Sequence, residues 1–321
     1  MKFYFAPLEG VTGYIYRNAY NKCFGNIDKY FTPFVSPTSN MCFTSREYND
    51  IILEHNIGMN TVPQILTNNS EYFIYTMNEF KKMGYDEINL NLGCPSGTVV
   101  AKGRGSGFLS HKEELDRFLE DIFSKASTKI SIKTRIGADS CEDFIDIMNI
   151  YNKYPLEELI IHPRIQKDFY KNKPRMEVFK EALKCSSNPV CYNGDIFNVK
   201  GYKKLMEECP SIDSVMLGRG LIANPGLISE INNGTVCSKE VLKSFHDEVY
   251  AGYKEVLSGD RNVLFKMKEF WFYMIHMFAE HDKYAKKIRK AKSAQEYEAA
   301  ISMIFSDLNI EDDSLRGFKG I

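Results

Sequence analysis

Eight short apolar segments in the first two thirds of the chain constrain its fold most, because each has the length of a buried strand. They are KFYFAP (2–7), KYFTPF (29–34), TVPQIL (61–66), EINLNLG (87–93), KISIKTRIG (129–137), ELIIHPR (158–164), PVCYNGD (189–195) and DSVMLGRG (213–220). Most are followed by stretches with helical periodicity, at 70–83, 112–125, 141–154, 176–183 and 199–208. Strands and helices that alternate about every 30 residues indicate right-handed crossover units, and eight such units close a TIM barrel.

The competing fold is an open, doubly wound sheet. That fold would place a glycine-rich GxGxxG loop after the first strand, whereas this chain has APLEGVTG there. The sequence therefore predicts an α/β protein whose residues 1–235 form a TIM (β/α)8 barrel. After residue 236 the strand pattern stops, and helical periodicity at 239–257, 263–281 and 294–308 predicts a small all-helical domain over residues 236–321.

Charge excludes a uniformly basic protein that binds polyanions, because 41 basic and 42 acidic residues give a net charge of -1. A local patch remains compatible with this balance. Six basic residues fall within 283–292, namely Lys283, Lys286, Lys287, Arg289, Lys290 and Lys292. This run is either a solvated helix face or a surface that contacts nucleic-acid phosphates.

Cysteine usage indicates the compartment. The eight cysteines include no CxxC pair and no zinc-ligand spacing, so we expect reduced thiols, a cytoplasmic location and no metal site. The most apolar later segment, 270–279, contains His276 and is shorter than the roughly 20 residues that span a bilayer. We therefore expect no membrane role, and we expect a monomer because nothing in the sequence indicates an obligate oligomer.

Glycine and polar residues cluster at the carboxyl ends of the predicted strands, where a barrel builds its active site. They are Gly10, Gln64, Asn91, Lys133, Arg135, His162, Arg164, Asn193, Asp195 and Arg219. Gly194 follows strand 7, and Gly218 and Arg219 follow strand 8, which is where many barrels bind a phosphate. The alternative is that NGD and GRG are only tight turns.

Three residues in or just after the strands carry further chemistry. Lys133 lies in a strand that should be buried, so it needs an anionic partner, either the N1/C2 edge of a reduced flavin or an acidic side chain. His162 either contacts an anionic or carbonyl group of a bound molecule, or is a core histidine whose hydrogen bonds are made within the protein. Cys94, between Gly93 and Pro95 in a constrained loop, is a candidate nucleophile or proton donor, whereas the other cysteines are interpreted as buried hydrophobes, with Cys42 undecided.

The chain resembles the bacterial-type tRNA-dihydrouridine synthases over almost its whole length. The segments that carry the resemblance are APLEGVTGYIYR, PQIL, NLNLGCPSGTVVAKGRGSGFL, IKTRIG, HPRIQKDFY, NGDI and MLGRGLIANPGLI. Members of that family are FMN-dependent TIM barrels with a C-terminal helical domain. Two departures, LEGVTG for the commoner MAGVTD and HPR for HGR, leave open which uridine is modified.

The resemblance implies roles for individual residues. Cys94 corresponds to the family's proton donor, and Asn91, Arg164 and Tyr170 correspond to residues near the uracil. The implied FMN contacts are Pro7, Gln64, Lys133, His162, Asn193, Gly194, Asp195, Gly218 and Arg219. The implied reaction reduces the C5–C6 bond of a uridine flipped out of tRNA, with NADPH reducing the flavin in the same barrel mouth and Cys94 remaining a protonated thiol.

The same resemblance assigns RNA contacts. The helical domain with Lys286, Lys287 and Lys290 would hold the RNA backbone, and Lys102 and Arg104 would contact it nearer the Cys94 loop. Three alternatives stay open: an FMN barrel that reduces a small molecule, a barrel that binds RNA without catalysis, and a synthase that acts on ribosomal RNA.

Overall fold

A computed structural model describes residues 1–312 of the chain. Within them, the strands are β1 (Lys2–Phe5), β2 (Lys29–Phe31), β3 (Thr61–Val62), β4 (Gln64–Ile65), β5 (Glu87–Leu92), β6 (Lys129–Arg135), β7 (Leu159–His162), β8 (Val190–Asn193) and β9 (Ser214–Leu217). All pair in parallel, in the order β3-β2-β1-β9-β8-β7-β6-β5-β4. The predicted TIM barrel is thereby confirmed.

Two short strands, β3 and β4, occupy the position of the third barrel strand, so the prediction of one continuous strand over 61–66 is wrong. Pro63 lies between β3 and β4 and has no N–H to give to a ladder. β3 pairs with β2 and β4 pairs with β5, while the Pro63 carbonyl accepts a 2.9 Å hydrogen bond from the Asn89 amide. The barrel closes at this position, where β3 and β4 follow each other in the chain.

Helices surround the barrel on its outer face. They are α1 (Tyr14–Cys23), α2 (Ser45–Ile51), α3 (Ser70–Met83), α4 (Gly97–Val100), α5 (Lys112–Ser124), α6 (Phe144–Tyr151), α7 (Met176–Cys185), α8 (Val199–Glu208), α9 (Arg219–Ala223) and α10 (Leu227–Asn233). Short 3-10 turns occupy Leu53–His55, Gly105–Ser110 and Gln166–Asp168. Among the residues that the structure describes, we find no helix long and apolar enough to cross a lipid bilayer.

Helix α1, which the sequence pattern did not predict, takes its N-terminal cap from a distant residue. Its N-cap is Gly13, which has no side chain to accept a hydrogen bond. The carboxylate of Asp50 on α2 accepts a 2.6 Å bond from the Tyr14 amide instead and also contacts the Arg17 guanidinium at 3.4 Å. This arrangement fixes the loop after β1, where the chain reads LEGVTG.

The core has two layers, because side chains alternate across each strand. In β1, Phe3 and Phe5 point outward to the helices, whereas Tyr4 points into the barrel. The apolar interior is small and consists of Tyr4, Ala6, Phe31, Val62, Ile160, Cys191 and Met216. Burying each large apolar side chain contributes about 2 kcal/mol to folding, so both layers stabilise the barrel.

A helical region follows the barrel, with α11 (Lys239–Val256), α12 (Asp260–Met274), α13 (Asp282–Lys290) and α14 (Ala294–Asp307). The predicted helix over 263–281 is wrong at its C-terminal end. There the chain forms a 3-10 turn over Ile275–Met277, then extends so that Phe278 pairs with Ile310. Residues 313–321 of the predicted domain 236–321 lie outside the described residues.

The helical region packs directly on the first helix of the barrel. Gly252 on α11 allows this approach, because a Cβ at that position would lie only 2.7 Å from Cγ2 of Ile15. Nearby, the ring of Phe245 meets the ring of Tyr16 edge-on at 5.3 Å. This contact places α11 and α12 beside the loop that follows β1. The division of the chain into domains near residue 236 stays a prediction.

Candidate active site

The carboxyl ends of the strands open into two adjoining cavities. The larger has a volume of about 380 Å³ and is lined by Gln64, Asn91, Cys94, Arg135 and Tyr273, among others. The smaller, of about 60 Å³, is lined by Asn193, Gly194, Asp195, Gly218 and Arg219, among others. Both are also lined by Pro7, Leu8, Lys133, His162 and Tyr170. Most of the predicted site residues therefore meet at one mouth.

The Cys94 loop is held from both sides. The side-chain oxygen of Asn91 accepts hydrogen bonds from the amides of Gly93 at 3.0 Å and Cys94 at 2.9 Å. The Cys94 carbonyl accepts bonds from the Ser106 amide at 3.1 Å and its hydroxyl at 2.8 Å. Gly105 has a φ of +57°, and a Cβ there would lie 2.7 Å from that carbonyl. The KGRGSG segment thus positions the thiol.

Asn91 belongs to a chain of amides that crosses three strands. Its Nδ2 donates to Oε1 of Gln64 at 2.7 Å, and Nε2 of Gln64 donates to Oδ1 of Asn89 at 2.7 Å. Asn89 in turn donates to the Ser131 hydroxyl at 2.9 Å. Both ends of the Asn91 carboxamide are consequently engaged within the protein.

The electrostatic surroundings of Cys94 favour a protonated thiol. Burial raises the pKa of Cys94 above its ordinary value. A backbone hydrogen bond from Ser96 and the charges of Arg135 and Lys133 lower this pKa, but they offset only part of the increase. A thiol with a raised pKa is suited to donate a proton near neutral pH, and the role of Cys94 as proton donor stays a prediction.

Lys133 has no counterion among residues 1–312. It lies beside Asn91 in the β5–β6 register, and burial, followed by repulsion from Arg135, lowers its pKa to about 8. The sequence analysis considered an acidic partner, yet no described residue forms an ion pair or hydrogen bond with the Lys133 ammonium. A buried cation is costly unless it meets an anion or a polarised oxygen, so the cavity is built to receive such a group.

Arg135 connects two loops of the mouth, a role that sequence reasoning missed. Its Nε donates to the Gly93 carbonyl at 3.0 Å, and its two terminal nitrogens donate to the carbonyls of Ile165 and Phe169 at 2.9 Å each. Phe169 has a φ of +49°, which is unusual for a residue other than glycine. Because all three acceptors are backbone carbonyls, no side-chain pattern in the sequence could reveal this link.

Asp195 joins two arginines between strands β7 and β9. It accepts two hydrogen bonds from Arg164, at 2.9 and 2.5 Å, and one from Arg219 at 2.6 Å. Arg164 is only 1% exposed and lies behind the cavity wall. The guanidinium of Arg164 thus holds Asp195 in place, and the placement of Arg164 near the uracil stays a prediction.

His162 is neutral in this setting. Burial lowers its pKa well below the ordinary value, and four nearby cations lower it further: Arg135, Lys133, Arg164 and Arg219. Nε2 of His162 lies 3.0 Å from a terminal nitrogen of Arg164, which always donates, so Nε2 accepts. Nδ1 of the neutral ring therefore carries the proton and is the donor.

The smaller cavity is a tight backbone cradle. A Cβ at Gly220 would lie 1.9 Å from the Ile196 carbonyl oxygen, and one at Gly194 would lie 2.1 Å from the Tyr192 hydroxyl. The Tyr170 ring covers Arg219, with 4.3 Å between the guanidinium carbon and the ring centroid. Arg219, which also donates to Asp195 at 2.6 Å, lines this small space and is the cation that an anionic group there would meet.

Comparison with known proteins decides the family. The family model described as dihydrouridine synthase matches residues 4–315. The chain belongs to the dihydrouridine synthase family. The match extends over the barrel and the helical region, so it includes every residue that lines the two cavities.

Curated relatives carry the same family name. A probable tRNA-dihydrouridine synthase from Staphylococcus aureus strain COL is 28% identical over 231 residues, which cover 70% of this chain and 69% of the relative. A tRNA-dihydrouridine(16) synthase from Aquipseudomonas alcaligenes is 25% identical over 246 residues, which cover 72% of this chain and 75% of the relative.

Solved structures support the fold of this dihydrouridine synthase. Morphinone reductase in complex with tetrahydroNAD superposes with a TM-score of 0.51 at 13% identity, covering 76% of this chain and 90% of the other. A 2-naphthoyl-CoA reductase complex has a TM-score of 0.56 at 10% identity, covering 73% of this chain and 50% of the other. At these identities the likeness concerns the fold alone.

Some predicted contacts of this dihydrouridine synthase lie away from the two cavities. Lys102 is exposed, and Arg104 donates to the Ser36 hydroxyl at 3.2 Å. On α13, Lys286 lines a separate groove of about 230 Å³ with His276 and Arg289. Nζ of Lys287 lies 3.0 Å from the Met303 sulfur, and Lys290 is exposed.

Tyr273 and Glu9 are among the residues that line the larger cavity but were not in the predicted site. Tyr273 comes from α12, so the helical region supplies part of the wall. Glu9 comes from the loop after β1 and forms a 2.7 Å ion pair with Arg46 on α2. Nothing in the barrel pattern could place Tyr273 there, because it lies beyond the last strand.

Proposed function

We propose that this dihydrouridine synthase reduces the C5–C6 double bond of a flipped-out uridine in tRNA, with FMN as the bound flavin and NADPH as its reductant. The observation that carries the proposal is that the Lys133 ammonium, which has no partner within residues 1–312, lies in the same cavity as a positioned Cys94 thiol. The family match supports the uridine substrate.

The two cavities fit the two parts of FMN. Lys133 would face the N1/C2 edge of the isoalloxazine ring, which is negative in the reduced flavin. The proton on Nδ1 of His162 suits a flavin oxygen. The cradle at Gly194 and Gly218, with Arg219, would hold the phosphate, and Asn193 and Asp195 would shape that cradle. The remaining predicted contacts are Pro7 and Gln64, which line the larger cavity.

Cys94 would supply the proton. When bound, reduced FMN supplies a hydride to C6 of the uracil, which is electrophilic because C5–C6 is conjugated with the C4 carbonyl. The Cys94 thiol gives its proton to C5, becomes a thiolate and is reprotonated from solvent. Its raised pKa keeps the acid form present before the reaction. Asn91 and Ser106 hold the loop while the proton moves.

The RNA has to present the base unpaired, because a uracil inside a helix cannot reach the bottom of the mouth. We propose that residues 1–235 form the FMN-binding barrel and residues 236–321 a tRNA-binding domain. Lys286, Lys287 and Lys290, with Lys102 and Arg104 near the Cys94 loop, would contact the RNA backbone. Tyr170 and Tyr273 line the entrance that the uridine would use. The protein would act as a monomer in the cytoplasm.

Nucleoside mass spectrometry tests the proposed reaction. Transfer RNA and ribosomal RNA would be compared between cells with and without the gene, and dihydrouridine would be mapped by position. Loss of the nucleoside at a tRNA site supports the proposal. Loss confined to ribosomal RNA would overturn the tRNA substrate, and unchanged RNA in cells without another family member would overturn the reaction.

A further inference from the structure

Apart from the two active-site cavities, a further cavity of about 380 Å³ lies between the barrel and the helical region. Its walls come from the loop after β1, the first turn of α1, helix α2, the C-terminal end of α11, and α12. Glu9 and Pro33 line both this cavity, here called the interdomain pocket, and the larger active-site cavity. The two spaces are therefore neighbours that share a wall.

The interdomain pocket has the composition of a small-molecule site. Ile15, Val256 and Leu257 provide apolar surface, and the rings of Tyr14 and Tyr253 add aromatic surface. Apolar surface therefore makes up most of the lining. Mainly apolar pockets with a few polar groups, located where two units meet, are the usual sites for small ligands.

Two polar side chains of α2 give the pocket its specificity. The Asn49 carboxamide has no hydrogen-bond partner within residues 1–312, so it offers one donor and one acceptor to a ligand. Such a carboxamide matches the N6/N7 edge of adenine. Arg46 lies at the rim with a side chain that is 65% exposed, and its planar guanidinium suits a phosphate.

The two acidic residues that line the pocket, Glu9 and Asp50, each have a cationic partner. Glu9 pairs with Arg46 at 2.7 Å, and Asp50 contacts Arg17 at 3.4 Å. Glu269 lies 3.6 Å from Lys266, whose ammonium also donates to the Gly10 carbonyl at 2.6 Å. A phosphate at Arg46 would therefore meet little net negative charge.

We propose that the interdomain pocket binds the adenosine half of the nicotinamide dinucleotide that reduces the flavin. The inference rests on the proposed function, because it assumes that a reduced nicotinamide reaches the active-site cavity. The chain has no GxGxxG loop after its first strand, so the adenosine half needs another site. The adenine lies between the apolar walls against Asn49, and Arg46 binds the phosphate.

The first test measures flavin reduction in the holoenzyme by stopped flow, without RNA. Val256→Trp fills the pocket at a residue that is 49% exposed, and Val241→Trp, at a residue of the same helix outside the pocket, is the matched control. We expect Val256→Trp and Asn49→Ala to raise the NADPH concentration for half-maximal reduction at least about tenfold. Reduced nicotinamide mononucleotide, which lacks the adenosine half, should reduce all variants equally well.

A second test needs no turnover. We expect 2′-phospho-ADP-ribose to bind the wild-type protein in calorimetry and to bind Val256→Trp at least about tenfold more weakly. Equal binding to both proteins, or equal effects of Val256→Trp on NADPH and the mononucleotide, would overturn the proposal. One further result would overturn the proposal: a variant whose flavin NADPH reduces normally, but which modifies tRNA slowly after its flavin has been reduced by dithionite. The pocket would then bind RNA and not the dinucleotide.

Failure of the proposed function has a different signature. A wild-type protein that binds no flavin, or that forms no dihydrouridine after chemical reduction, would contradict the flavin reaction itself. The binding of 2′-phospho-ADP-ribose would still report on the pocket.

Discussion

The side-chain oxygen of Asn91 accepts a 2.9 Å hydrogen bond from the backbone amide of Cys94. The same oxygen accepts a bond from Gly93, and the Asn91 amide nitrogen donates to Gln64. By resemblance, this asparagine would face the uracil. In the structure it also positions the loop that carries the proposed proton donor, so substitution affects the thiol even if the base is bound elsewhere.

Replacing Asn91 separates these two contributions. Asn91→Ala leaves two amides without an acceptor, so we expect about 2 kcal/mol lower stability and slower turnover on tRNA. Asn91→Asp keeps the acceptor for both amides, so it should be more stable than Asn91→Ala, but it loses the donor to Gln64 and adds a negative charge beside Lys133, so its turnover should also fall below that of wild type. Denaturant unfolding and single-turnover assays measure both effects. A wild-type rate in Asn91→Ala would show that the loop does not need this contact.

Lys133 predicts a pH dependence of flavin binding. Its pKa of about 8 means that the ammonium is present below pH 8 and is lost as the pH rises. Because the charged form binds the negative flavin edge, the Kd for reduced FMN should rise up to about tenfold per pH unit above pH 8. Anaerobic fluorescence titrations from pH 7 to 9 measure this.

Two variants provide the comparison for Lys133. Lys133→Met should bind reduced FMN weakly at pH 7 and lose the dependence on pH. Lys129→Met, at the exposed start of the same strand, should bind as the wild type does. A wild-type pH profile in Lys133→Met would assign the titration to another group.

Arg135 is predicted to be irreplaceable by lysine. An ammonium cannot reach three carbonyls in three directions, so Arg135→Lys should lower the free energy of unfolding by about 3 kcal/mol. The exposed Arg117 offers a control, because Arg117→Lys should change stability by less than about 0.5 kcal/mol. Urea unfolding of both variants checks this, and equal stabilities would refute the role of Arg135 as a link between loops.

The proposed contact between the basic run on α13 and RNA can be tested through the salt dependence of tRNA binding. Neutralising Lys286, Lys287 and Lys290 together should weaken tRNA binding and reduce the slope of log K against log salt by up to about three. A control triple variant would neutralise exposed lysines on the barrel exterior, at Lys81, Lys125 and Lys184. Titrations at several salt concentrations measure the slopes. An unchanged slope in the α13 variant would show that the basic run is a solvated helix face that does not contact RNA phosphates.

The sequence predicted the barrel because its strands are short and apolar and its helices amphipathic. It missed α1, whose cap comes from Asp50, a contact between residues far apart in the chain. It also predicted one strand across Pro63, although proline interrupts a ladder. It extended the helix over 263–281 too far, because apolar residues continue through the 3-10 turn at Ile275–Met277.

The sequence was more informative about which residues gather at the mouth than about what each one contacts. Strand-end positions brought Lys133, Cys94 and His162 to one cavity. The role of Arg135 could not be predicted, since its partners are backbone carbonyls, and neither could the pairing of Arg164 with Asp195 across two loops. Contacts of this kind depend on tertiary geometry.

An anaerobic single-turnover experiment tests the central claim most directly. Holoenzyme whose flavin has been reduced would be mixed with unmodified tRNA, while flavin absorbance and dihydrouridine are followed together. We expect one dihydrouridine for each flavin reoxidised, and Cys94→Ala should retain its flavin but react about 100-fold to 10,000-fold more slowly. Flavin that is not reoxidised by tRNA, or a Cys94→Ala variant with the wild-type rate, would contradict the account.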